Sequence, residues 1–113
     1  MAPKKNPLNL NALQLRTLTL LQELARLLDQ PAEGEDGAFV VDQFPHAHGN
    51  HFHLGRAVVS TADATGLSNP SVWAALDRKG MIRADFPQRC VVTAEGMAYD
   101  TGLRDEILHG SDH

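Results

Sequence analysis

Four histidines fall within eight residues, in the run His46-Ala47-His48-Gly49-Asn50-His51-Phe52-His53. Imidazole is a common ligand for transition metals, and the side chain whose ordinary titration lies nearest neutral pH. Gly-Asn between two extended runs is a favoured two-residue hairpin turn, with glycine supplying the positive φ of its first central position. A turn at Gly49-Asn50 pairs His48 with His51 and His46 with His53. Alternation then puts all four imidazoles on one face, with neighbouring Cβ atoms roughly 5 Å apart, and sends Ala47 and Phe52 to the other. His46, His48, His51 and His53 are therefore the candidate metal ligands, for zinc, nickel or copper, or else a proton-sensitive patch. The competing reading is a solvated hairpin that takes metal only adventitiously, because no cysteine or carboxylate completes a closed zinc motif. Asp42, His109 and His113 are the remaining donors that a fold might bring in. A histidine-triad hydrolase is excluded by Gly55, which stands where a third alternating histidine is needed, and a cupin barrel by the shortage of strands.

Other catalytic chemistry has little to stand on, and no enzyme is expected. Ser60, Ser68 and Ser71 lie outside any nucleophile-elbow sequence, no phosphate-binding glycine loop occurs, and Cys90 sits in an expected strand. The 113 residues, 42% hydrophobic and 21% charged, suit a single domain over residues 9–113 with a flexible arm over 1–8 and an insert over about 31–55. A net charge of −4 argues against a polyelectrolyte binder, so any basic surface must be local. One cysteine excludes an internal disulfide framework. Met1 to Pro7 has no apolar core of a signal peptide and no stretch suits a membrane span, so a cytoplasmic protein without membrane contact is expected.

The histidines must be held by the elements around them. Apolar residues at helical spacing run from a cap at Asn9 or Asn11 to Leu28, ahead of Pro31. Leu10, Leu13, Leu20, Leu21, Leu24, Leu27 and Leu28 share an arc of roughly 120°, the width of a core-facing stripe. Leu15 and Leu18 fall outside it and are either surface residues or a seam against a partner helix. Pro31 to Gly37 reads as an exposed loop and Ala38 to Phe44 as a strand. From Gly55, the residues Val58, Ala62, Gly66, Leu67, Ser68 and Val72 stand at helix-turn-helix offsets. In this reading Ala62 is small where two helices cross, Gly66 takes the positive φ of the turn, and Ser68 or Asn69 caps a helix beginning at Pro70. That helix ends at Gly80. Residues 81–85 and 89–93 then form a hairpin around Phe86-Pro87-Gln88, and a last helix starts at Thr93. The expected core is Leu20, Leu24, Leu27, Val58, Ala62, Leu67, Val72, Leu76, Ile82 and Val92.

The residues TGLSNPSV (65–72), LDRKGMIR (76–83) and VVTAEGMAY (91–99) give residues 57–102 a likeness to a known pattern. The segment resembles the winged helix-turn-helix of transcription regulators of the multiple-antibiotic-resistance (MarR) type. The resemblance implies a mainly α fold with a small antiparallel β wing, to which the His-rich hairpin is an insert. It also implies a DNA-binding regulator that acts on double-stranded DNA as a homodimer, built through helix one and the last helix. The histidine hairpin, by its own spacing and its place ahead of the helix-turn-helix, is the expected metal-responsive element. The candidate DNA contacts are Asn69, Ser71, Arg78, Lys79, Arg83 and Arg89. Residues 56–89 hold five cations against three carboxylates, a balance of +2, while the flanks are acidic. The groove-facing positions Ser68, Asn69, Pro70, Trp73, Ala74 and Asp77 contain few base-reading side chains. Trp73 either joins the core beside Leu76 or anchors a protein partner. The second case makes the chain a winged-helix interaction module without sequence-specific DNA binding.

Overall fold

In the computed structural model, which describes residues 6–45 and 49–110, the chain is organised around one long helix, α1 (Ala12–Leu28). Of the two candidate caps it is Asn11 that starts it. The Asn11 side chain accepts from the Gln14 amide, and the Gln14 side chain accepts from the Asn11 amide, so two orphan donors of the first turn are satisfied reciprocally. Asp29, at φ 51°, ends the helix in the left-handed conformation.

The expected stripe is too narrow. Thr17 to Gln22, Leu24 and Ala25 are all buried, so α1 is covered over most of its circumference. Leu18 is fully buried, whereas Leu27, expected in the core, is 47% exposed. A helix enclosed by later elements on several sides needs partners for its polar residues as well. Thr17 Oγ1 donates to Leu13 O at 2.8 Å. Thr19 Oγ1 lies 2.6 Å from Thr101 Oγ1, and Gln22 Nε2 donates to Gly96 O and Tyr99 O at 2.7 and 2.8 Å. These bonds fasten the C-terminal segment to the middle of α1.

Two small antiparallel sheets flank the helix. In one, β1 (Phe39–Val41), β4 (Ile82–Asp85) and β5 (Arg89–Val92) lie in the order β1-β5-β4, with Val41 opposite Cys90 and Ile82 opposite Val92. In the other, β2 (His51–Leu54), β3 (Ala57–Ser60) and β6 (His109–Gly110) lie in the order β2-β3-β6. The remaining helices are α2 (Pro70–Arg78), α3 (Ala94–Ala98) and α4 (Arg104–Ile107). Thr93 caps α3, accepting from the Gly96 amide at 2.9 Å. The whole is a mixture of helices and small antiparallel sheets about a shared core, with a radius of gyration of 13.4 Å. Among the described residues no helix is long and apolar enough to cross a membrane.

Residues 55–68 depart most from expectation. Val58 stands in β3, half-buried, and the neighbouring Val59 fills the core. Ala57-Val58-Val59-Ser60-Thr61 is rich in residues that favour strands or compete with helical backbone bonding, and Gly55 at φ 58° turns β2 back onto it. The helix expected from 58 onward is therefore reduced to a 3₁₀ segment, Thr61–Ser68. Ala62 is exposed, so it marks no helix crossing. Gly66 does not take a positive φ; it lies against α1, where a Cβ would sit 1.8 Å from Thr17 Oγ1. The requirement for glycine is close approach, not turn conformation. Leu20, Leu24, Val72, Leu76, Ile82 and Val92 are buried as expected, and Leu67 is partly buried against them.

Candidate nucleic-acid interface and histidine face

Helix α2 forms where Asn69 provides the cap and Pro70 the first residue. Asn69 Oδ1 accepts from the amides of Ser71 and Val72 at 2.9 and 3.4 Å, so its acceptor is already used by the helix it starts. Val72, Trp73, Ala75 and Leu76 face inward, leaving Pro70, Ser71, Ala74, Asp77 and Arg78 on the outer surface. Asp77 Oδ2 accepts from the Ala84 amide at 2.8 Å and ties the helix to β4.

The six candidate DNA contacts do not share one face. Ser71 and Arg78 are exposed on α2, and Arg78 makes no ion pair among the described residues. Lys79 Nζ instead donates to Leu8 O at 2.6 Å and Asn9 O at 3.4 Å, holding the N-terminal segment beside the end of α2. Arg83 pairs with Glu35, whose hydrogen bond raises the guanidinium pKa, and Arg89 lies 3.9 Å from Asp85. Asp85 is directly opposite Arg89 in the hairpin, so Arg83, Asp85 and Arg89 share the sheet face turned away from Ala84. Ala84 belongs to the other face, where a groove of about 380 Å³ runs between α2 and the hairpin, lined by Pro70, Trp73, Ala74 and Phe86.

No family model, curated protein or solved structure matches this chain. Function must be read from these side chains and their geometry.

Trp73 is 1% exposed and packs between Phe44 and Phe86, at ring-centroid separations of 5.7 and 5.0 Å. It is a core residue, which overturns its reading as an exposed anchor for a protein partner. Packed between Phe44 and Phe86, the indole keeps almost no exposed surface, although its edge borders the groove. The exposed aromatic of this region is Phe86, 37% exposed at the hairpin tip. A bulky apolar residue beside a proline in a turn, with polar neighbours, is the sequence signal that marks it.

On β2 the alternation is regular. Phe52 and Leu54 are buried, His51 is half-buried and His53 is exposed, with the two imidazole centroids 5.3 Å apart and nearly perpendicular. His46 and His48 lie outside the described residues. Gly49 has the expected positive φ of 67°, but the strand hydrogen-bonded to β2 among the described residues is β3, with His51 opposite Ser60 and His53 opposite Val58. Asp42 is engaged elsewhere, accepting from Gln30 at 3.0 Å. Among the described side chains no third histidine, cysteine or carboxylate joins His51 and His53.

Cys90 is buried in β5, and burial pushes its thiol up to about 12. It should therefore resist an aromatic disulfide reagent at pH 8 in native protein and react on unfolding. Because the folded state holds the proton more tightly, Cys90 should also lower stability as pH rises from about 9 toward 12. Rapid labelling of the native protein would contradict both expectations.

Proposed function

We propose that the chain is a winged-helix DNA-binding regulator whose contacts are mainly to the phosphate backbone, with the histidine face as a metal-responsive element. The observation that carries this reading is the chain order α1, β1, then β2 and β3 as an intervening hairpin, then the 3₁₀ segment, α2, β4 and β5, combined with the strand order β1-β5-β4. It sets a capped helix, exposed along one side, directly before an antiparallel hairpin, as the resemblance requires. Arg78 is the readiest phosphate ligand. Arg83 and Arg89 are more than half exposed in their ion pairs, and such solvated pairs contribute little, so phosphates can replace Glu35 and Asp85 as partners. A dimer that reads paired half-sites would have to form without Leu18, which is buried in the core of a single chain.

Binding to a labelled duplex should weaken with salt at a slope of no more than about −3, since each of three phosphate contacts contributes about −0.9. Arg78→Ala should make that slope shallower by about one contact. A duplex affinity independent of salt, or unaltered by Arg78→Ala, would reject the reading.

A second reading rests on the groove between α2 and the hairpin. Its lining of Pro70, Trp73, Ala74, Ala84 and Phe86, with Asp77 and Arg78 beside them, suits a protein segment bearing an aliphatic or aromatic side chain next to a charged one. Titration with a labelled duplex at low salt separates the two, because a docking module shows no salt-dependent affinity for duplex of any sequence.

A further inference from the structure

Gly55 and Arg56 form the turn between β2 and β3, with Leu54 opposite Ala57. The turn lies against the end of α1, where a Cβ on Gly55 would sit 2.8 Å from Leu27 Cδ2. Here Arg56 and the start of α4 border a cavity of about 260 Å³, whose apolar lining is Leu54, Ala57 and Leu108. Pockets for drug-sized ligands run to roughly 300–1,000 Å³, so this one suits a smaller molecule. Its walls also carry four charged groups, Glu23, Arg56, Arg104 and Asp105. Two of them neutralise one another: Arg104 Nη2 donates to Glu23 Oε1 at 2.9 Å, and the Glu23 side chain is only 13% exposed. Arg56 and Asp105 are exposed, and neither side chain has a hydrogen bond or ion pair among the described residues.

We propose that this cavity binds the zwitterion of a small α-amino acid with an aliphatic side chain. With Glu23 and Arg104 closed on each other, Arg56 and Asp105 are left to choose the ligand. A lone anion held by Arg56 would lie near the unpaired carboxylate of Asp105, and a lone cation held by Asp105 near the unpaired guanidinium of Arg56. A ligand carrying both charges turns each of these repulsions into an attraction. Its carboxylate suits the planar fork of Arg56, which matches two oxygens at once, and its ammonium suits Asp105. Leu54, Ala57 and Leu108 then take the aliphatic part out of water, which adds affinity in proportion to the apolar area covered. The site stands apart from the winged-helix reading, because none of these residues is among its DNA contacts.

The test is titration of the full chain with leucine, followed by amide chemical shifts, beside two analogues: isocaproate, which lacks the ammonium, and isoamylamine, which lacks the carboxylate. Leucine should shift the amides of Leu54, Ala57, Asp105 and Leu108 and saturate at millimolar concentration. Each analogue should bind more weakly by about tenfold or more, the weight of one charge-assisted hydrogen bond. Arg56→Gln should weaken leucine by a similar factor while leaving isoamylamine unweakened, and Asp105→Asn should weaken leucine while leaving isocaproate unweakened. Isocaproate binding as tightly as leucine, with Asp105→Asn without effect, would mean a plain anion site and overturn the inference. So would the absence of a saturable shift with leucine, or leucine binding that neither variant alters. Melting temperatures within about 2 °C of wild type, expected for two exposed side chains, would exclude misfolding as the cause.

Discussion

Gly96→Ala should destabilise the protein by about 3 kcal/mol, the upper part of the range for forcing an added carbon into a packed interior. A Cβ at this position would lie 1.9 Å from Met81 O and 2.9 Å from Met81 C, and both are backbone atoms that cannot rotate aside. Relief by moving α3 would break what holds it. The Gly96 carbonyl accepts from Gln22 of α1, its amide is the one Thr93 caps, and the Thr93 hydroxyl donates onward to Gly80 O at 2.6 Å. Gly34→Ala is the matched control, with a positive φ of 75° but open space around its Cβ, so it should cost only about 1–2 kcal/mol of backbone strain. Urea denaturation with a constant slope would measure both. A loss below about 1 kcal/mol at Gly96 would show that α3 is not clamped against the Met81 backbone.

Trp73→Ala should cost about 3–5 kcal/mol, as expected for deleting a fully buried aromatic side chain. The indole is the centre of a cluster that joins α2 to Phe44 ahead of the second sheet and to Phe86 at the hairpin tip, so its removal leaves a void shared by three segments. Trp73→Phe should cost much less than the alanine change. Trp73 Nε1 is buried without a hydrogen-bond partner among the described residues, and a donor left in that state carries a penalty of about 1–3 kcal/mol. Phenylalanine removes that penalty while keeping most of the ring contacts, which offsets part of the lost volume. Equal losses for the two substitutions would mean that the indole nitrogen is satisfied in solution.

Local chemistry was legible where a residue acts on its own neighbours. A cap at Asn9 or Asn11 before α1, a cap at Ser68 or Asn69 before Pro70, the end of α2 at Gly80, the hairpin around Phe86-Pro87-Gln88 and the Thr93 cap all follow from side chains within four residues of the backbone they satisfy, and the structure chose Asn11 and Asn69. So does the alternation of Phe52 and Leu54 against His51 and His53, because a strand with one buried face carries its register in its residue types.

Wherever a residue's environment is supplied by a distant segment, only the tertiary structure decided it. Leu18 and Leu27 have the same composition-level claim on the core, but α1 is enclosed on a side that the stripe does not show, so Leu18 is buried and Leu27 is not. Gly66 looks like a turn glycine by offset; its contact with Thr17, about fifty residues earlier, gives the actual reason. Val58 and Val59 pair into a strand because Gly55 turns β2 toward them. The pairing of His109 with Val58 had no local signal at all, since a two-residue strand is specified by its partner. By itself the sequence determined caps, turns, alternation and the presence of two histidine groups; the fold decided which faces are covered and which remote residues meet, because burial and strand pairing are properties of the assembled chain rather than of any window along it.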